Sequence, residues 1–171
     1  MTIRSAHRDE LPGLQDLEVA AGAQFREVGL GDVAEHPPPK LEILAAAHEA
    51  GRLWVSVDSA DRPTGYVFVE LVDGGVHIEQ LSVHPAHQRQ GIGRALIAYV
   101  DTWAAGQGLR KLTLSTFRSV PWNAPYYARL GFVELPRDEL TPGLTGILAA
   151  ETAFGLDPAQ RIFMTRKLAG Q

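Results

Sequence analysis

The stretch that most limits how this chain can fold runs over residues 75–94, Gly75-Val-His-Ile-Glu-Gln-Leu-Ser-Val-His-Pro-Ala-His-Gln-Arg-Gln-Gly-Ile-Gly-Arg94. It opens as an alternating strand, passes a proline turn and enters an amphipathic helix through two closely spaced glycines. The first N–H groups of such a helix have no intrahelical partner, and the helix dipole adds partial positive charge there. A strand–glycine turn–helix unit of this kind suits a phosphate.

The flanking segments extend that unit into a fold. Residues 2–6 read as a strand. A helix follows, with Asp9 as the expected N-cap, Pro12 in its first turn, Leu11, Leu14, Leu17, Ala21, Phe25 and Val28 at helical spacing, and an end near Gly29. Residues 32–39, with three consecutive prolines, form a loop, and residues 40–50 an Ala-rich helix closed by Gly51. Strands are expected at 52–57, 66–72 and 76–83, the last two joined by the hairpin signal Asp73-Gly74-Gly75 and therefore antiparallel.

The helix after Gly91 carries Ile92, Ala95, Leu96, Tyr99, Val100 and Trp103 on one stripe, and Gly106 and Gly108 end it. A strand at 111–117 then has to run parallel to 76–83, because a helix connects the two. A short helix starts at Trp122-Asn123 and ends at Gly131, with 132–135 extended after it. Residues 136–158 are irregular around a helix at 144–154 capped by Gly155, and 161–168 is a closing strand. The class is α+β: a mixed, mostly antiparallel sheet of six to seven strands flanked by helices, with a cleft where two parallel strands splay. One domain over residues 1–171 is expected.

Composition excludes several classes. With no cysteine there is no disulfide framework, thiolate metal site or cysteine nucleophile. A formal charge of −4 gives no reason to expect nucleic acid. No apolar run approaches a membrane span and no leader-like segment opens the chain, so a cytoplasmic protein without membrane attachment is the default. His84 and His87 flank Pro85 on a turn with no carboxylate nearby in sequence, so no metal is expected there.

Two phosphate motifs fail on residues. Leu96 stands where a dinucleotide fingerprint needs its third glycine, and Gly93 is followed by Arg94 and Ala95 rather than by Lys-Ser/Thr. What stands is Gln88-x-x-Gly91-x-Gly93 after the strand segment Leu81-Ser-Val-His-Pro85. That arrangement resembles the acyl-CoA-binding motif of the GNAT superfamily, the Gcn5-related N-acetyltransferases. Tyr127-Ala-Arg-Leu-Gly-Phe132 is similar to the family's Tyr-x-x-x-Gly-Phe, and Arg161-Ile-Phe-Met-x-Arg-Lys-Leu168 to its closing strand. The likeness spans residues 2–168 in motif type, order and spacing.

The resemblance implies an acyltransferase that moves acetyl from acetyl-CoA directly to a primary amine of a small molecule or peptide, without a metal. It places the CoA diphosphate on Gln88, Arg89, Gln90, Gly91, Ile92, Gly93 and Arg94, and pantetheine and thioester along Leu81, Ser82 and Val83, with the N–H groups of Leu81 and Val83 as oxyanion donors. Pairing of that kind uses backbone, so changing Ser82 should be mild. Asn123 is a further cofactor contact, although an N-cap role would account for it alone.

The chemistry needs a base for the ammonium and a proton for the departing thiolate. Alternation puts His77, Glu79, Leu81 and Val83 on one strand face. Glu79 is the first choice of base and His77 the second, each directly or through a water; a His–Glu pair that only stabilises the sheet is the competing account. Tyr127 matches the family's proton donor to sulfur, with Tyr126 as fallback. A packing residue stapled to Trp122 is the competing account of Tyr127. The amine would be met by residues 25–39 and 135–158, whose acids Glu27, Asp32, Glu35, Asp138, Glu139 and Glu151 suit a cation or plain solvation. Two other functions stay open: a non-catalytic acyl-CoA sensor and a nucleotide-binding regulatory domain. Dimers are frequent among such relatives, so a homodimer is one expected assembly.

Overall fold

The structure, a computed structural model, describes residues 1–168. It contains seven strands: β1 (Thr2–Ser5), β2 (Leu53–Val57), β3 (Pro63–Val72), β4 (Gly75–Val83), β5 (Lys111–Phe117), β6 (Val133–Leu135) and β7 (Arg161–Lys167). They form one mixed sheet in the order β1-β2-β3-β4-β5-β7-β6. The helices are α1 (Leu11–Gly22), α2 (Gly31–Ala34), α3 (Leu41–Glu49), α4 (Ile92–Gly106), α5 (Ala124–Arg129) and α6 (Pro142–Phe154). The α+β class and the mixed sheet are as expected. The described residues divide into two compact units, 1–70 with 79–100, and 71–78 with those from 101 onward.

In the first unit β1, β2 and β3 are antiparallel neighbours. One face of β2 and β3, formed by Leu53, Val55, Val57, Tyr66 and Phe68, is covered by Leu11, Leu14 and Leu17 of α1 and Leu44 and Ala47 of α3. The alternate residues face α4, where Trp54 lies against Tyr99 with ring centroids 5.8 Å apart. Gly65 sets how closely α4 can approach. A Cβ there would stand 2.9 Å from the Ser82 carbonyl oxygen and 3.0 Å from an Ile92 methyl.

In the second unit β4 and β5 run parallel in the register Val76↔Leu112 to Ile78↔Leu114, as the helical crossover requires. β7 is antiparallel to both β5 and β6. Asp73 and Gly74 have φ of 48° and 77°, the pair of left-handed residues that a two-residue hairpin needs between β3 and β4. Asp73 also accepts the Gly143 N–H at 2.7 Å, which fixes the first turn of α6 to this hairpin.

Several local expectations change. Asp9 does not cap α1. A 3-10 turn at Arg8–Glu10 comes first, and there the Glu10 carboxylate reaches back to the His7 N–H at 2.7 Å. The helix expected to reach Gly29 is α helical only to Gly22, then continues as a 3-10 segment, Ala23–Val28, that Gly29 ends at φ 76°. The proline loop contains the short α2, and β3 starts at Pro63, three residues early, paired with Val57. In α4 the sealed residues are Ile92, Leu96, Ile97, Val100 and Ala104, while Tyr99 is 37% exposed.

Candidate active site

The phosphate-type turn lies in the first unit. After Val83 the chain makes a 3-10 turn, Pro85–His87, in which the His84 ring accepts the Ala86 N–H at 3.2 Å. Arg89 and Gly91 then take left-handed φ of 61° and 78°. For glycine that conformation is free; for arginine it costs about 1 kcal/mol. The first α4 bond runs from the Ala95 N–H to the Gly91 carbonyl at 3.0 Å. The N–H groups of Ile92, Gly93 and Arg94 therefore precede the helical ladder and are the ones an anion would meet. Arg89, Gln90 and Arg94 are exposed around this turn. Gln88 is turned inward, its amide donating to Gln24 at 3.2 Å, so its side chain braces the turn against the 3-10 segment.

Along β4, Glu79, Gln80 and Leu81 are half-buried and Ser82 is buried. The Ser82 side chain is not idle. Its hydroxyl donates to the Glu18 carboxylate, which also accepts from the Gln80 amide at 2.9 Å and the Tyr66 hydroxyl at 3.1 Å. Burial raises the Glu18 pKa, and the bonds from Ser82 and Tyr66 oppose that shift. Burial also pushes the Tyr66 phenol well above its ordinary value, and the Glu18 charge adds to it. Sequence reasoning missed Glu18, although a signal was there. Leu11, Leu14, residue 18 and Ala21 form a helical core stripe, and a carboxylate on such a stripe is out of place unless partnered.

The other candidates lie in the second unit. His77 is 2% exposed, with Nδ1 2.9 Å from the Thr113 hydroxyl and its ring 6.2 Å from that of Phe163. Burial, with the nearby Arg161 charge, lowers its pKa to about 4. His77 is thus a neutral, enclosed imidazole near pH 7.

Asn123 precedes α5 but makes no capping bond. Its side-chain oxygen instead accepts the Thr116 hydroxyl at 2.9 Å and the Phe117 N–H at 3.3 Å, tying the end of β5. The N-cap account of this residue is therefore corrected: a strand end takes its acceptor before the helix can.

Tyr127 has a well-defined structural reason for its spacing to Gly131 and Phe132. The Phe132 N–H bonds the Tyr127 carbonyl at 3.1 Å, the Gly131 N–H bonds that of Ala128 at 3.1 Å, and Gly131 sits at φ 86°. This is a Schellman cap, completed by the Tyr127–Phe132 ring contact at 5.9 Å. The cap uses the backbone and the ring.

Of the acids expected to meet an amine, Glu151 is engaged. It pairs with Arg161 at 2.8 Å and accepts the Ser115 hydroxyl at 2.9 Å, and the Arg161 guanidinium lies 4.6 Å from the Phe117 ring centroid. Among the described residues no three His, Cys, Asp or Glu side chains gather as a metal site would need, and no helix is long and apolar enough to cross a membrane.

Comparison with known proteins adds a family. The chain is 30% identical over 88 residues to the peptidyl-lysine N-acetyltransferase YjaB of Salmonella typhimurium, a match covering 52% of this chain and about half (54%) of that relative. Its fold is similar to an acetyltransferase of the GNAT family from Staphylococcus aureus Mu50, with TM-score 0.74 at 18% identity, covering 98% of this chain and 99% of that one. It is also similar to Rv2747 of Mycobacterium tuberculosis, solved with CoA and NLQ, with TM-score 0.71 at 19% identity over 99% and 100% of the two chains. The acetyltransferase (GNAT) family model matches residues 16–132, which include the Gly91–Gly93 turn and the Tyr127–Phe132 cap. The chain belongs to the GNAT acetyltransferase family.

Proposed function

We propose that this protein is an acetyl-CoA-dependent N-acetyltransferase acting in the cytoplasm on a primary amine of a small molecule or peptide. The observation that carries the reading is the turn before α4. An arginine and a glycine in left-handed conformation precede three N–H groups that open the helix, between the exposed side chains of Arg89 and Arg94. That is a diphosphate receptor in backbone form. The matched family and the CoA-bound relative make CoA the natural diphosphate.

The roles follow from the chemistry. Pantetheine and thioester run along β4, with the Leu81 and Val83 N–H groups as donors to the thioester oxygen. Glu79 takes a proton from the acceptor's ammonium, directly or through a water. The freed nitrogen attacks the thioester carbon, the C–N bond forms, the C–S bond breaks, the Tyr127 phenol protonates the leaving thiolate, and the surplus proton of the acylated nitrogen restores the phenol. His77 is the weaker choice of base. With a pKa of about 4 it holds a proton poorly and sits enclosed on Thr113. Its place beside β5 makes it a prop for the strand.

Two measurements test the reading in order. Acetyl-CoA should raise the melting temperature where ATP and NAD do not. Thiol release should then appear with at least one member of an amine panel. Binding without turnover on any amine would favour an acyl-CoA sensor, and no response to CoA would end the acetyltransferase reading.

A further inference from the structure

Glu18 occupies a core position of α1, and no ion pair reaches it among the described residues. Its three partners, Tyr66, Gln80 and Ser82, are neutral donors. They solvate the charge without cancelling it. A carboxylate offers about four acceptor positions. Two on Oε2 are taken by the hydroxyls and one on Oε1 by Gln80, so Oε1 retains one. As a residue Glu18 is half-buried and not sealed. A desolvated anion without a counter-ion costs stability, and an isosteric amide could satisfy the same neighbours. Structure alone gives no reason for the charge.

The location supplies one. Gln80 and Ser82 flank Leu81 in β4. In β3, Gly65 turns toward Val83 and Ile92 at the start of α4, and the next residue, Tyr66, turns toward α1 and Glu18. The start of α4 and Glu18 thus lie on opposite faces of this part of the sheet, while Gln88 of the turn reaches Gln24 beyond α1. A thioester paired in the sheet plane with Leu81 and Val83 is open to groups from either face. An amine that approaches from the α1 face meets Glu18 first.

We propose that the Glu18 carboxylate receives the acceptor's ammonium group through its open Oε1 position, so that the substrate class is a primary amine that binds as a cation. The assignment rests on the N-acetyltransferase reading above. Glu18 holds the cation beside Leu81 until its proton is removed, and the neutral nitrogen then leaves the carboxylate for the thioester carbon.

The test compares wild type, Glu18→Gln and Glu18→Asp by thiol release, with a short peptide bearing a free α-amine, spermidine and kanamycin as probes, and adds thermal melts. For every amine that wild type turns over, Glu18→Gln should raise KM for the amine about tenfold or more, the loss expected for a charge-assisted hydrogen bond. KM for acetyl-CoA should stay within about twofold and the melting temperature should not fall, since a desolvated charge has been removed. Glu18→Asp keeps the charge and should recover part of the amine KM. An unchanged amine KM, a parallel rise in both KM values, or a lower melting temperature with both KM values raised would overturn the proposal. Wild type without turnover on any probe would instead overturn the acetyltransferase reading, and this assignment with it.

Discussion

His77 offers the most quantitative test of the structure, because its burial makes stability depend on pH in one direction. Its pKa falls from an ordinary 6.5 to about 4, chiefly through burial, with the Arg161 charge adding to the shift. The folded imidazole is therefore neutral throughout the window in which the unfolded one protonates. The unfolded chain binds more protons there, so stability rises with pH and is lost as pH falls from about 6.5 toward 4. The slope is about 1.4 kcal/mol per pH unit, and between neutrality and about pH 4.5 the loss comes to about 2.5 kcal/mol. Since His77 is 2% exposed, solvent screens little of it. Urea unfolding of wild type and His77→Gln, followed by far-UV circular dichroism near pH 7 and near pH 4.5, isolates the contribution. The variant starts less stable, having lost the Thr113 bond, but should lose about 2.5 kcal/mol less than wild type on acidification. Equal losses in the two proteins would show that His77 is not a buried neutral imidazole. The reason for ranking it below Glu79 as the proposed base would then fall too.

Three further outcomes follow from the site. Tyr127→Phe keeps the ring contact with Phe132 and the backbone bonds of the cap. Its kcat should drop by about 100-fold or more, the usual worth of a positioned acid. Glu79→Gln should lower kcat most near neutral pH and progressively less toward alkaline pH, where the amine arrives already deprotonated; a uniform loss across pH would count against a base role. Gly65→Ala forces a methyl to 2.9 Å from the Ser82 carbonyl oxygen and 3.0 Å from Ile92. It should cost about 1–3 kcal/mol by overpacking and weaken acetyl-CoA binding by displacing the start of α4, which isothermal titration would detect.

Much of this fold was legible in the chain because local chemistry and global topology agree. Asp73-Gly74 announces its hairpin, and a helix between two apolar strands compels their parallel pairing. The Tyr127–Phe132 spacing was legible as a motif, and the structure supplies its cause in a C-terminal cap. What stayed hidden depends on partners far away in sequence. Asn123 could be read as a cap, but Thr116 and the Phe117 N–H claim its oxygen. Ser82 was expected to tolerate change because pairing there uses backbone, yet its hydroxyl is bonded to a carboxylate 64 residues away.

The acids show most clearly why distant pairing decides function. Glu151 was a fair choice for meeting a cationic acceptor, lying in an irregular segment of suitable charge. In the folded chain Arg161 already neutralises it at 2.8 Å, with Ser115 on its second oxygen. An incoming ammonium there would have to displace a guanidinium, which is a poor exchange for a site meant to bind a cation. Glu18 reads in the sequence as helix interior, yet of the two it is the carboxylate held only by neutral donors. The two are similar in burial class and residue type and differ in what stands opposite. A carboxylate whose charge is solvated but not cancelled keeps its field for a ligand, whereas a paired one spends it on the fold. By that criterion Glu18 on α1, beside β4, is a better candidate for the proposed cation site than Glu151 on α6.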